Sequence, residues 1–247
     1  MHTRSALAHA FLAAIDPFLS EAEVLATEYD LTDPAVNGFS GVSTPPGYDL
    51  LAIFESKKFD KCRHIIFKAT GIDLQRLRFL HPFLVQSLID ASFFSEDHSL
   101  ALDQALAQSG AGKGLASAGL ETFERQLAII QQVPIEESVQ QLWEMSRNIS
   151  RHRRHLLKMM KWYQEQRIQQ LYLGAKRGLG NHRRLFLYDR NQRMVDTFLE
   201  LATDRTVFAA VGAAHLGGDK GFLAHLKRSS WRVRPILLHA GRGSKVN

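Results

Sequence analysis

The sequence predicts an α/β fold: a small, mostly parallel central sheet flanked by helices, with a large helical insertion. Three observations lead to this prediction. Short apolar segments typical of buried strands alternate with segments whose apolar residues recur at helical spacing. A long helical block separates the first strand from the next one. No internal repeat and no low-complexity tract divides the chain, so we expect one domain over residues 1–247.

The first elements are predicted from apolar spacing and from the residues that interrupt it. Residues 4–20 are predicted to form a helix, and the presence of Pro17 leaves its last residue undetermined. A short strand follows at 23–29, and the prolines and glycines of 31–48 predict a long loop. Several short helices are expected within 49–95. Their core candidates are the apolar residues Phe54, Phe59, Ile65, Ile66, Phe67, Leu77, Leu80, Leu84 and Leu88.

The later elements continue the same alternation. In chain order they are a helix at 99–109, a strand within 112–118, a helix at 121–133, a helical segment at 134–178, a helix at 190–202, a strand at 206–211, a helix at about 218–229 and a last strand within 231–238. We therefore expect the segments 23–29, 114–118, 206–211 and 232–237 to share one sheet, with the helical block covering or capping it.

Composition limits the classes of site that the chain can build. Cys62 is the only cysteine, so neither an internal disulfide nor a cysteine-based zinc site is expected. No run of about 18 apolar residues predicts a membrane span, and the first residues lack the pattern of a secretory signal. The compartment stays open, and a longer native start would admit a cell-envelope location. The net charge of +6 weakly favours anionic partners but does not by itself identify nucleic acid.

The segment VFAAVGAAHLGG, residues 207–218, places a histidine at the exit of an apolar strand. In open α/β sheets, ligands bind beyond the carboxyl ends of the strands. Gly212 lets the backbone turn tightly before His215, so the imidazole can face a cleft. The alternative is that His215 caps the next helix or packs on the end of the strand.

Other polar residues stand near predicted strand ends or element starts. Glu28 follows the strand at 23–29, and Glu121 joins a strand to a helix. Arg190, followed by an asparagine, opens a helix and can clamp a carboxylate or a phosphate. His2 stands beside the start of the chain. The competing interpretations are a solvated strand end for Glu28, a helix-dipole partner for Glu121, a surface ion pair for Arg190 and a disordered terminus for His2.

The segment SRNISRHRRHLLKMMKW, residues 146–162, is dense in basic residues. On one continuous helix, four of them would share a face: Arg147, Arg151, Arg154 and Lys158. This face is either solvated or binds an anionic surface such as lipid headgroups or nucleic acid. His152 and His155 have a spacing that could pair on a metal, but no carboxylate accompanies them in the sequence. Serine-hydrolase, P-loop, dinucleotide and His-Glu-x-x-His motifs are absent.

Taken in order, these segments resemble the TraB/GumN family, which includes the Tiki proteins. The resemblance covers most of the chain. It is carried by SEAEVLATEYDL at 20–31, by LDQALAQSGAGKGLASAGLETFERQLAII at 102–130, and by the segment from DRNQRMVDTF through VFAAVGAAHLGG to RVRPI at 189–236. The family has an Arg-Asn pair opening a helix, then an apolar strand, a Gly-x-x-His motif, a glycine and a closing strand.

The resemblance implies a site at the edge of the sheet. The family carries two Gly-x-x-His motifs, and the second corresponds to Gly212–His215. The first is expected just before the opening helix, where Met1-His2 stands, so we expect the chain to start inside that motif. The implied metal ligands are His2, His215 and Glu28. The implied catalytic residues are Glu28, Glu121 and Arg190.

The resemblance also implies an activity. Tiki proteins are described as metal-dependent proteases, and the wider superfamily includes erythromycin esterases and ChaN-like proteins. We therefore expect a metal-dependent hydrolase, a peptidase acting on a peptide or protein, with Mn, Co, Zn or Fe(II) as the divalent metal. Such a metal lowers the pKa of bound water toward about 7, and a glutamate can act as general base. The alternatives are a non-catalytic peptide- or ligand-binding protein of this fold, or peripheral binding of an anionic surface through 146–162. Nucleic acid is not the partner we expect.

Overall fold

The computed structural model describes residues 3–34, 48–95 and 97–239. Within this part of the chain, three short strands form one parallel sheet in the order β2-β1-β3. The strands are β1 (Val24–Thr27), β2 (Ala116–Gly119) and β3 (Val207–Ala210). The predicted α/β class with a small parallel sheet is confirmed, and three of the four predicted strands are present within one or two residues of their expected ends.

Helices make up most of the described chain. In order, they are α1 (Ala6–His9), α2 (Leu12–Ser20), α3 (Leu50–Ile53), α4 (Ser56–Thr70), α5 (Pro82–Ser92), α6 (Leu102–Gly112), α7 (Phe123–Ile130), α8 (Ile135–Arg147), α9 (Ile149–Gln164), α10 (Ile168–Gly178), α11 (Asp189–Leu201), α12 (Ala213–Leu216) and α13 (Phe222–Arg228). Two short 3₁₀ turns, Leu74–Leu77 and Gly180–His182, and a π-helical turn, Arg184–Tyr188, connect some of them.

The central strand β1 is buried on both of its faces. Leu25 packs on one side with Leu19 of α2 and Leu106 of α6. Ala26 lies on the opposite side in a cluster with residues of α11 and α13. Helices on both faces explain why β1 reads as a continuous apolar run, which is typical of strands in parallel sheets.

The helices between β1 and β2 build a second core with α8. Its buried members are Tyr48, Leu50, Phe54, Phe59, Cys62, Ile66, Leu74, Val85, Ile89, Val139, Leu142 and Met145. The prediction of several short helices over 49–95 is confirmed. Two of the core candidates were wrong: Phe67 is 56% exposed and Leu88 is 38% exposed, because both lie on the solvent side of their helices.

The predicted last strand, 232–237, is wrong. Residues 231–239 are irregular, and Ile236 and Leu237 are 61% and 78% exposed. Pro235 has no N–H to give to a ladder, which disfavours a strand inside a sheet. The side chain of Gln166 bonds this segment instead: its Nε2 donates to the carbonyl of Leu238 over 2.6 Å, and its Oε1 accepts the N–H of Leu238 over 3.1 Å.

Two segments predicted as helical are divided. The helix expected at 4–20 is split into α1 and α2, and Pro17 lies inside α2. The helical segment 134–178 forms α8, α9 and α10. The first break is at Asn148, and the second follows from Gln166, which adopts a φ of +54° that regular helices exclude. Arg147 therefore ends α8 and does not belong to the face of α9 that carries the other basic residues.

Candidate functional site

The three strands end level with one another. Thr27 of β1 aligns with Gly119 of β2 and with Ala210 of β3. The residues that follow these ends therefore emerge at the same edge of the sheet, which is where open parallel sheets bind their ligands. Glu28, Glu121 and His215 all lie at this edge, and α11 adds Arg190 to them.

Arg190 connects the two glutamates. Its Nε donates to Oε1 of Glu121 over 2.8 Å, and its Nη2 donates to Oε2 of Glu28 over 2.7 Å. Nη2 also contacts Oε1 of Glu121. The π-helical turn Arg184–Tyr188 runs directly into α11 and sets the position of Arg190 near its start. The side chain of Arg190 is 11% exposed, so this is a buried charge network.

Glu121 is the most enclosed member of the network, with a side chain that is 0% exposed. Its Oε1 accepts a further hydrogen bond from Nε2 of Gln126 over 2.8 Å. Its Oε2 is buried and has no hydrogen-bond partner among the described residues. The sequence analysis gave Glu121 as an implied catalytic residue or as a helix-dipole partner. The structure shows its carboxylate bound to Arg190.

Glu28 faces both Arg190 and the loop that follows β3. Its Oε1 accepts the N–H of Gly212 over 2.8 Å and lies 3.9 Å from Nε2 of His215. Burial opposes ionisation of Glu28, and His215 favours the carboxylate only when the imidazole is protonated. Arg190 and the Gly212 N–H nevertheless hold the pKa of Glu28 well below its ordinary value. Glu28 is therefore a carboxylate at neutral pH.

His215 lies on the short helix α12, which begins directly after Gly212. Its side chain is 8% exposed. Burial, followed by the charge of Arg190, lowers the pKa of His215 to about 4, although Glu28 acts in the opposite direction. The imidazole is therefore neutral at neutral pH. Its Nδ1 lies 2.6 Å from Oδ1 of Asn191, and its Nε2 faces Glu28.

Asn191 also belongs to the site, although the sequence analysis did not name it as a candidate site residue. It is fully buried, and its Nδ2 donates to the carbonyl of Lys220 over 2.7 Å. The signal was present in the sequence, since Asn191 follows Arg190 in the pair that opens α11. No spacing rule, however, connects a residue of α11 with the histidine that follows β3.

The described residues contain no group of three or more His, Cys, Asp or Glu side chains placed to hold a metal ion. His2, the remaining expected ligand, lies outside the described residues. His215 and Glu28 are the two expected ligands that the structure brings together, and they provide one nitrogen and one oxygen donor. This donor pair suits Zn, Mn, Co or Fe(II) in kind.

The amino-acid sequence was compared with the sequence models of known protein families, and one family matches. The sequence model of that family matches residues 1–235 of the 247-residue chain. The chain belongs to the TraB/PrgY/gumN family. No curated protein and no solved structure matches it significantly. In this TraB/PrgY/gumN member, the matched range includes all the site residues described above, from Glu28 to His215.

The basic helix of this TraB/PrgY/gumN member lies apart from the described site contacts. The basic side chains of α9 are exposed: Arg151, Arg153, Arg154, Lys158 and Lys161. Leu156 and Met160 turn inward and are each 4% exposed, while Leu157 is 45% exposed. Within the described ranges, every helix is too short or too polar to cross a bilayer.

In this TraB/PrgY/gumN member, His152, one of the two histidines on α9, contacts a carboxylate. Nε2 of His152 lies 2.6 Å from Oδ1 of Asp90 on α5. Burial, and then the charge of His152, lower the pKa of His155. No third ligand group joins the His152–Asp90 pair among the described residues. This pair joins α9 to α5, and it resembles the His215–Glu28 pair in combining a histidine with a carboxylate but not in location.

Proposed function

We propose that this chain is a metal-dependent hydrolase whose active site is the edge of the sheet that carries His215 and Glu28. One observation carries the proposal: Nε2 of His215 lies 3.9 Å from Oε1 of Glu28. Two protein ligands that are each roughly 2.0–2.2 Å from one ion lie about 3.4 Å apart at a tetrahedral angle, so metal binding would draw the two donor atoms together by about 0.5 Å. The imidazole is neutral and the carboxylate is ionised, and metal ligands require these protonation states.

Two donors are fewer than a catalytic site needs, since catalytic zinc sites usually have three protein ligands and an open position. Our proposal assigns the third ligand to His2, as the resemblance of the sequence implies. Glu121 is not given that place, because its Oε1 is held by Arg190 and Gln126, and because its Oε2, which has no partner among the described residues, forms no three-membered ligand group with His215 and Glu28. Glu121 and Gln126 instead hold the guanidinium in position.

Arg190 has a positioning task in this proposal. By binding Oε2 of Glu28, it leaves Oε1 directed toward His215. Orienting partners of this kind fix metal ligands and tune their basicity. When bound, a divalent metal would supply a bound water of lowered pKa and would polarise a carbonyl group. The low pKa of Glu28 makes it a weak general base at neutral pH, so ligation suits it better than proton abstraction.

The substrate class in this proposal is a peptide or protein, and it rests on the resemblance to the Tiki proteins. The experiment compares metal-free protein with protein loaded with Mn, Co, Zn or Fe(II), using a mixed peptide library and mass spectrometry of the products. We expect metal-dependent cleavage that His215→Gln abolishes and that His152→Gln retains. Metal binding without cleavage of any peptide would contradict the hydrolase and favour the non-catalytic binding protein of the same fold.

A second candidate function is peripheral binding of an anionic membrane surface through α9. One observation favours it: α9 has five exposed Lys or Arg side chains and no acidic residue, and Leu157 is exposed among them. Basic helical surfaces with an apolar side chain bind anionic lipids, and each basic residue near the surface contributes about 1 kcal/mol.

A flotation assay tests this second function with phosphatidylcholine vesicles that contain or lack phosphatidylglycerol. We expect salt-sensitive binding to the anionic vesicles only, and weaker binding by the triple variant Arg151→Gln, Arg153→Gln, Arg154→Gln. The matched control Lys57→Gln, Lys58→Gln, Lys61→Gln removes the same charge from exposed positions of α4. Equal loss in both variants would show that net charge, rather than α9, governs binding.

A further inference from the structure

A chain of hydrogen bonds links the glycine-rich loop after His215 to the imidazole itself. The loop Gly217–Gly221 presents the carbonyl of Lys220 to Nδ2 of Asn191 over 2.7 Å. Oδ1 of the same amide lies 2.6 Å from Nδ1 of His215. Asn191 is fully buried, so its amide is bonded on one side by the main chain and on the other side by the histidine.

These contacts determine how the amide is oriented. If the amide were rotated by half a turn, Oδ1 would face the carbonyl oxygen of Lys220, and two acceptors would repel each other at hydrogen-bonding distance. An asparagine side chain has its donor and acceptor on different atoms, so only the observed orientation satisfies both neighbours. Oδ1 therefore faces Nδ1 of His215, and an acceptor at 2.6 Å requires a hydrogen on that nitrogen.

We propose that Asn191 is a positioning residue that fixes His215 as the tautomer with hydrogen on Nδ1, so that the lone pair of Nε2 faces Glu28. The opposite tautomer would need Nε2–H to donate to Glu28, but the 3.9 Å separation from Oε1 is too long for a hydrogen bond. The task of Nε2 as a metal ligand rests on the proposed function. The tautomer itself is a property of the metal-free protein.

The glycines after the histidine serve the same arrangement. Gly218 adopts a φ of +81°, and a Cβ at this position would overlap the ring of Tyr172. A Cβ at Gly221 would overlap the carbonyl of Gly217. The path that brings the Lys220 carbonyl to Asn191 therefore depends on residues without side chains. This dependence gives a physical reason for the glycines that follow Gly212–His215.

Nuclear magnetic resonance tests the proposal on the full-length, EDTA-treated protein labelled with ¹⁵N at its histidines. Long-range ¹H–¹⁵N correlations near neutral pH distinguish the two tautomers, and loss of a signal in His215→Gln identifies His215. We expect the Nδ1–H pattern in the unmodified chain. In Asn191→Leu, which has a similar volume and no acceptor, we expect the Nε2–H form to appear. Asn191→Ala, which removes the acceptor without adding charge, should show the same change as Asn191→Leu.

An Nε2–H pattern in the unmodified chain, or an unchanged pattern in Asn191→Leu, would overturn the proposal. The exposed Asn148→Leu is the control and should leave the His215 signal unaltered. If Asn191→Leu does not fold, the unmodified chain and Asn191→Ala still decide the tautomer. Titration with Zn²⁺ or Mn²⁺ is measured separately, so the absence of metal binding would contradict the proposed function and leave the tautomer assignment standing.

Discussion

Nη2 of Arg190 lies 2.7 Å from Oε2 of Glu28, although 162 positions separate the two residues in the sequence. The same guanidinium also binds Glu121. One cation thus holds the carboxylates that follow two neighbouring strands. The edge of the sheet is organised around this contact, because it orients Glu28 toward His215 and neutralises charge that burial would otherwise penalise.

Removal of Arg190 should strongly destabilise the protein. Arg190→Met leaves two carboxylates without their buried cation, and breaking a buried charge network in this way costs about 3–5 kcal/mol. Urea denaturation measures the free energy of unfolding. The control is Arg184→Gln, because Arg184 is 82% exposed and its contact with Asp189 is 3.4 Å long. A loss below about 1 kcal/mol for Arg190→Met, comparable with exposed ion pairs, would be inconsistent with the network described.

Acid should destabilise the metal-free protein through His215. The folded pKa is about 4 and the ordinary value is 6.5, so between these pH values the unfolded state binds more protons. Stability therefore falls as the pH is lowered from 6.5 toward 4, by roughly 3 kcal/mol if this group acts alone. The low pKa of Glu28 adds a loss only at lower pH, as the pH falls below its ordinary value of 4.5.

Other histidines have lowered pKa values and contribute with the same sign, so the measurement is a difference. Thermal melts across this pH range are compared for the unmodified chain and His215→Gln, both in EDTA. We expect a shallower pH dependence in the variant, whose amide cannot take up a proton. Identical pH profiles would show that His215 is not buried in its neutral form.

Gly218→Ala should cost more stability than a positive φ alone explains. A Cβ at Gly218 would overlap the ring of Tyr172, which is 2% exposed and enclosed by its neighbours. Gly114 is a matched control because its φ is +77° and no atom lies within 4 Å of the Cβ position. Gly114→Ala should lose about 1–2 kcal/mol from backbone strain, and Gly218→Ala more than that. Equal losses in chemical denaturation would exclude the proposed overlap.

The basic residues of α9 should be dispensable for folding. Arg151→Gln, Arg153→Gln, Arg154→Gln together remove exposed charges, which typically contribute about 0–1 kcal/mol each. The buried Met160 is the contrast, since Met160→Ala should lose about 2–5 kcal/mol. Thermal melts compare the two variants. A large fall in melting temperature for the triple arginine variant would show that these side chains are structural.

The sequence predicted the part of the site that follows from parallel topology. Glu28 and His215 stand just after apolar strands, and parallel strands bring such positions to one edge. The meeting of Arg190 with Glu121 depends on how α11 packs on the sheet, and no spacing within the sequence encodes this. The same limit explains why Asn191 was overlooked, because its two partners are Lys220 and His215.

The error at 232–237 has a different origin. Alternating apolar and basic residues in this segment predict a strand, but the pattern gives no information about whether a sheet edge is available to pair with it. The irregular segment is bonded by the side chain of Gln166, which lies between two helices that the sequence predicted as one helical segment. The apolar pattern predicted the strand correctly at β1, β2 and β3, each of which has a neighbouring strand to pair with.

The metal content of the purified protein and its variants tests most directly whether His215 and Glu28 share a metal ion. The amount of bound metal is measured by mass spectrometry after loading with Mn, Co, Zn or Fe(II) and removal of the excess. His152→Gln is the control, since His152 also faces a carboxylate, Asp90, outside the proposed site. We expect the unmodified chain and His152→Gln to retain bound metal, whereas His215→Gln and Glu28→Gln lose it while remaining folded. Retention of metal by folded His215→Gln, at the level of the unmodified chain, would contradict a metal site shared by His215 and Glu28.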